Sequence, residues 1–255
     1  MTRPVRLPRD PGPALLVVAH GSRDPRHAAT VHALVRAVAG LRPGVRVETA
    51  FLDFNVPSVP AVLASLAADG VRDVVALPLL LNRAYHAKAD LPAVLRQAPP
   101  ELRVHQAEVL GPSPLLLRAA ERRLYEAGLT PADKPATGVV LAFAGSTDPE
   151  ANAVFAETAR ELRRTGWCAV RPAFASASLP RTEDAVRELR AEGVRRVAVA
   201  PYVIAPGRLP DRIAAGAADA DVLAGVLGPA PELARLLVQR YDEARASRPL
   251  VAAAV

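Results

Sequence analysis

Ala14-Leu15-Leu16-Val17-Val18-Ala19-His20-Gly21-Ser22-Arg23-Asp24-Pro25 is the stretch whose reading decides the fold. An unbroken apolar run of strand type passes through a Gly-Ser turn into a helical pattern. From about Pro25 to Ala39 the spacing puts Val31, Leu34, Val35 and Val38 on one face. The turn then recurs. Gly21-Ser22-Arg23-Asp24-Pro25 returns as Gly145-Ser146-Thr147-Asp148-Pro149, 124 residues further on. Gly70-Val71-Arg72 with Val74 and Pro78 returns as Gly193-Val194-Arg195 with Val197 and Pro201, and Ala50-Phe51 with Pro57 as Ala173-Phe174 with Pro180, both 123 residues on. Val109-Leu110-Gly111-Pro112 with Pro114 returns as Val226-Leu227-Gly228-Pro229 with Pro231, 117 residues on. Four matches in one order at a nearly constant offset make the chain a duplicated domain, with halves at 14–130 and 137–255.

Each half has one rhythm. In the first, strands are expected at Ala14 to Ala19, Arg46 to Phe51, Val71 to Leu81 and Leu102 to Leu110. Helices are expected over Pro25 to Ala39, Val59 to Ala68, Asp90 to Gln97 and Pro114 to Ala127. Gly70 is the expected helix stop, and Asp90 the expected N-cap with Pro92 in the first turn. The second half repeats this from about Gly138, after a polar joint at Thr130 to Thr137. Strands alternating with helices imply an α/β architecture: parallel βαβ units wound into a sheet with helices on both faces.

Composition narrows the function. The 255 residues are 51% hydrophobic and 23% charged, enough for a core, and only 4% aromatic, which argues against reading single strands by base stacking. One cysteine, Cys168, excludes an internal disulfide framework, a four-cysteine zinc site and a cysteine-ligated iron–sulfur cluster. Any metal chemistry is therefore left to carboxylates and five histidines: His20, His27, His32, His86 and His105. The net charge of +6 suits a polyanionic partner, but the arginines are scattered, and nucleic acid is not expected. No apolar run reaches the roughly 18–20 residues of a membrane helix, and Met1 to Pro13 has no signal-peptide pattern, so a cytoplasmic protein is expected.

In open parallel sheets, ligands bind beyond the carboxyl ends of the strands. Those positions in the first half carry His20, Asp53 and His86. Imidazole is a common ligand for divalent first-row metals, and a carboxylate completes the shell or accepts protons. The repeat acts as an internal control. At the matching offsets His20 becomes Ala144, Asp53 becomes Ser176 and His86 becomes Leu209, while the scaffold glycines and prolines persist. The expectation is one active half and one degenerate half. His27 and His32, in the first helix, and His105, in a strand, carry no such case.

These residues also carry a family resemblance. Leu15 to Pro25 resembles the opening motif of the sirohydrochlorin chelatases, class II enzymes that insert a divalent metal into sirohydrochlorin without ATP. Phe51-Leu52-Asp53-Phe54 with Pro57-Ser58 resembles the family's acidic segment, where glutamate is more usual. Pro78-Leu79-Leu80-Leu81 with Tyr85-His86 and Asp90-Leu91-Pro92 resembles its second histidine motif, although Asn82-Arg83-Ala84 replaces the usual glycine. The resemblance spans the whole chain, since longer members are two fused halves. It implies a chelatase-like fold of two tandem flavodoxin-like (Rossmann-like) domains.

The resemblance further implies that His20 and His86 hold the metal, with Asp53 as auxiliary ligand or proton acceptor. Substrate metals would be Fe2+, giving sirohaem and favoured here, Co2+ for cobalamin synthesis, or Ni2+, with neither ATP nor an iron–sulfur cluster. Metal binding needs neutral imidazole, so activity is expected to fall below about pH 6.5, the ordinary histidine value. Sirohydrochlorin carries many carboxylates, so Arg23, Arg83 and Lys88 are candidate binders. The backbone amides of Gly21 and Ser22 are further candidates, and Tyr85 is placed against the macrocycle. The cleft between the halves is the expected site, in a monomer, since both halves share one chain. Two rivals stand beside this reading. One is a non-catalytic metal or tetrapyrrole carrier. The other is a phosphate or nucleotide enzyme, disfavoured because neither a P-loop nor G-x-G-x-x-G is present.

Overall fold

A computed structural model describes residues 12–82 and 90–247. In the first half the elements are β1 (Ala14–Ala19), α1 (Pro25–Leu41), β2 (Val47–Phe51), α2 (Val59–Ala68), β3 (Asp73–Pro78), α3 (Leu91–Leu95), β4 (Arg103–Gln106) and α4 (Pro114–Glu126). A 3-10 turn, Pro131–Ala136, makes the joint. The second half runs β5 (Thr137–Phe143), α5 (Pro149–Arg164), β6 (Ala169–Phe174), α6 (Thr182–Ala191), β7 (Arg196–Pro201), α7 (Arg208–Ala215), β8 (Val222–Leu223) and α8 (Pro231–Ala246). The strands form two parallel four-stranded sheets ordered β2-β1-β3-β4 and β6-β5-β7-β8. The central strands β1 and β5 are buried along their whole length, as unbroken Leu/Val runs require when both faces are covered.

Three expectations are corrected. β3 stops at Pro78 and not at Leu81. β4 stops at Gln106, although Ala107 and Leu110 still donate to the carbonyls of Ala76 and Leu80: the chain leaves the pleat while keeping its hydrogen bonds to β3. Asp90 does not cap α3. Its backbone is already helical (φ −71°, ψ −49°), whereas an N-cap needs an extended backbone to turn its side chain onto the first amides.

The duplication reaches the packing, where it takes a form that a linear repeat does not foretell. The closing helix of each half lies on the other half: α8 packs on α1 and β3, and α4 on β7 and α8. The exchange is pinned by matched arginines. Arg240 of α8 donates to the carbonyls of Val109 (2.9 Å) and Leu110 (3.3 Å). Arg123 of α4 donates twice to the carbonyl of Leu227, at 3.1 and 2.9 Å. Leu34, Leu116, Phe155, Leu236 and Leu237 accordingly belong to one continuous core between the sheets. α2 with α3, and α6 with α7, cover the outer faces over separate smaller cores.

Candidate functional site

His20, the first residue past the end of β1, is exposed. The parallel ladder continues one step past the strands, with Leu52 donating to Ala19 O and Asp53 donating to His20 O, both at 2.9 Å. That step places His20 and Asp53 side by side at the carboxyl ends of neighbouring strands. The Asp53 carboxylate is exposed, and its Oδ1 accepts the Phe54 amide at 2.8 Å. The end of β3 lies on the other side of β1. His86, Arg83, Tyr85 and Lys88 fall outside the described residues. Among the described residues, no three His, Cys, Asp or Glu side chains converge as a metal site.

The Gly-Ser-x-Asp-Pro turn is what holds this arrangement. Gly21 adopts φ +97°, and a Cβ there would stand 1.9 Å from the Asp53 carbonyl oxygen, so only glycine lets the two loops touch. Ser22 Oγ accepts the Asp24 amide (3.1 Å), and Asp24 Oδ1 caps α1 by accepting the Arg26 amide (2.9 Å), with Pro25 in the first turn. Arg26 holds the Asp24 carboxyl below its usual range. The second half repeats each bond: Gly145 at φ +96°, Ser146 Oγ to the Asp148 amide, Asp148 Oδ1 to the Glu150 amide. The motif is thus scaffold. The Ser22 amide donates to Asn55 Oδ1 at 2.7 Å. Gly21 serves the close approach.

What differs between the halves is the decoration. Where the first half has His20, Asp53 and Phe54, the second has Ala144, Ser176 and Ala177. Phe54, half exposed, meets His20 edge to face at 6.1 Å, and the exposed Arg23 lies over its ring at 5.3 Å. Among the described residues Arg23 has no carboxylate partner, whereas Arg26 spends its charge on Asp24 and Asp211. The Arg26–Asp211 pair (2.8 Å), and Gly207 against Ser22, set the start of α7 beside the rim, so the second half flanks the site. A separate groove of about 530 Å³ between α4 and α5, lined by Pro112, Leu117, Val154 and Tyr202, takes in none of the candidate ligands.

His27 is a neighbour that the sequence reading set aside. It lies one turn before Val31 on the inner face of α1, and its Nδ1 is buried without a hydrogen-bond partner among the described residues. Burial, and then the charge of His20, push its imidazole pKa down. The signal was available, because position 27 is Ala151 in the second copy. His32 instead meets Phe51 edge to face (5.7 Å), and His105 stands in β4.

Two parallel sheets with exchanged helices, and a histidine and an aspartate on the strand-end rim of one half, define an α/β protein built by duplication. Residues 14–127 and again 138–244 match the CbiX family, and the chain belongs to it. It is 28% identical over 245 residues to a sirohydrochlorin cobaltochelatase of Priestia megaterium, covering 90% of this chain and 79% of that protein. It is 27% identical over 207 residues to a sirohydrochlorin ferrochelatase of Bacillus subtilis, covering 78% and 77%. Among solved structures, SirB from Bacillus subtilis with Fe3+ superposes with a TM-score of 0.79 over 92% of this chain and 96% of SirB, at 24% identity, a likeness of fold. Among the described residues, no helix is long and apolar enough to cross a membrane.

Proposed function

We propose that this chain inserts a divalent metal, Fe2+ or Co2+, into sirohydrochlorin without ATP, as a cytoplasmic monomer. The observation that carries the reading is the contrast between two copies of one scaffold. The same turn, cap and close glycine contact recur, yet His20 and Asp53 stand together in one copy only. Family membership agrees with it.

Metal insertion requires water to be stripped from the ion, the ion to be presented to the ring centre, and two pyrrole N–H protons to be removed. The exposed imidazole of His20, with that of His86, presents the metal. Asp53, one ladder step away and exposed, takes the two pyrrole protons in turn and passes each to water, with its carboxylate oriented by the Phe54 amide. Arg23, without a carboxylate partner among the described residues, takes a peripheral carboxylate of the substrate. Arg83, Lys88 and Tyr85 are proposed for the remaining rim of the macrocycle.

The test is anaerobic insertion of Fe2+, Co2+ and Ni2+ into sirohydrochlorin, followed by absorbance. Turnover by the wild type that is lost in both His20→Ala and His86→Ala is the expected result. Full activity in both variants overturns the mechanism, and metal binding without turnover makes the protein a carrier. The relative rates with iron and cobalt decide between a sirohaem and a cobalamin role.

A further inference from the structure

Phe54 is conformationally unusual, and its twin shows which part of that belongs to the fold. Asn55 donates to the carbonyl of Asp53 at 2.7 Å, an i to i+2 bond, and Phe54 between them has φ +60°. A three-residue turn with positive φ is rare and strained for a residue with a side chain. The second half has the same turn: Ser178 donates to the Ser176 carbonyl at 2.7 Å, and Ala177 has φ +62°. The backbone therefore needs the turn in both copies, and alanine fills it in one of them. The fold does not call for an aromatic at position 54. Yet a large apolar ring stands there half exposed, at a cost in solvent contact, beside His20 and under Arg23.

We infer that Phe54 is a substrate-binding residue, the platform on which the tetrapyrrole plane lies while His20 addresses its centre. This rests on the chelatase reading above. The two rings meet at 79°, so a macrocycle lying parallel to Phe54 stands nearly perpendicular to the imidazole plane. The lone pair of an imidazole nitrogen lies in its own ring plane, and it can then point along the macrocycle normal, the path an entering metal takes. Arg23, at 5.3 Å over one face of the Phe54 ring, leaves the opposite face to the macrocycle and is positioned to pair with a carboxylate on its edge. The platform thus sets both the tilt of the ring and the side from which metal enters.

The test uses Phe54→Ala, Phe54→Tyr and Phe54→Trp in the full chain. Ala177 shows that alanine holds this turn, so Phe54→Ala is expected to keep its melting temperature. Loss of a stacking surface is expected to raise the KM for sirohydrochlorin about tenfold and to be rescued by tyrosine. Metal-free sirohydrochlorin titrated into Phe54→Trp should quench the new emission strongly and saturably. Ala177→Trp, in the matching turn of the other half, should be quenched less. An unchanged KM in Phe54→Ala, or equal quenching of the two tryptophan variants, overturns the platform while leaving the enzyme a chelatase. A wild type that inserts no metal refutes the underlying reading instead.

Discussion

Two matched substitutions, Gly21→Ala and Gly145→Ala, separate what the turn does for the fold from what it does for the site. The added Cβ would lie 1.9 Å from the Asp53 carbonyl oxygen in one case and 1.8 Å from the Ser176 carbonyl oxygen in the other, at φ +97° and +96°. Since Cβ atoms do not approach closer than 3.0 Å, each carbonyl must retreat by about 1 Å. A side chain in this conformation costs about 1–2 kcal/mol, and forced displacement of packed backbone about 1–3 kcal/mol more. Each variant should therefore lose about 2–5 kcal/mol, and at about 2–4 °C per kcal/mol its melting temperature should fall by roughly 4–20 °C. The activities should diverge. In Gly21→Ala the displaced carbonyl belongs to Asp53, whose amide is bonded to His20, and a misplacement of about 1 Å at a catalytic group costs on the order of 100-fold. Gly145→Ala moves a loop that carries Ser176 and Ala177 where the first half has Asp53 and Phe54, and should stay within about threefold of wild type. The measurements are thermal unfolding and anaerobic metal insertion, the latter well below the lower midpoint. Equal losses of activity in the two variants would refute the division into one active and one degenerate half.

His20→Ala should lower kcat/KM on the order of 10²–10⁴-fold with an unchanged melting temperature, because His20 is exposed and its twin is already Ala144; a lower melting temperature would count against a purely chemical role. Glu232, buried at the start of α8, accepts two hydrogen bonds from Arg122 of α4, at 2.9 and 2.6 Å, and so ties the exchanged helices together. Glu232→Gln should cost about 1–2 kcal/mol, the range between exposed and buried pairs, read by urea unfolding. His27 gives a pH signature. Its pKa in the fold is held below the ordinary 6.5, so the unfolded chain binds a proton that the folded chain refuses. The stability it contributes is present above about pH 6.5 and is lost as the pH falls through that value towards the folded pKa. The urea midpoint should drop between about pH 7.5 and 5.5 in the wild type and drop less in His27→Ala; equal slopes would dismiss the assignment.

Much of this protein is legible in its sequence because the relevant physics is local or repeated. Unbroken Leu/Val runs mark strands buried on both faces, and α2 spans Val59–Ala68 as its apolar spacing predicts. The repeat separates His20 and Asp53 from the scaffold, since a residue that one copy omits is not needed for folding. The edges of the reading failed where pairing sets the limits. β3 and β4 end early because the chain leaves the pleat there, although Leu79, Ala107 and Leu110 keep hydrogen bonds to the neighbouring segments, and Asp90 reads as a cap only until its own backbone is known to be helical.

By itself, then, the sequence determined the duplication, the parallel α/β class and the strand-end histidine and carboxylate. Tertiary structure alone decided the rest. It exchanged the closing helices, because an apolar stripe such as that of α4 specifies burial but not whose sheet buries it. It assigned the Ser22 amide to Asn55, 33 residues away, and brought Phe54 and Arg23 around His20. Such pairings depend on how two loops meet in space, and no local pattern of residues records that meeting.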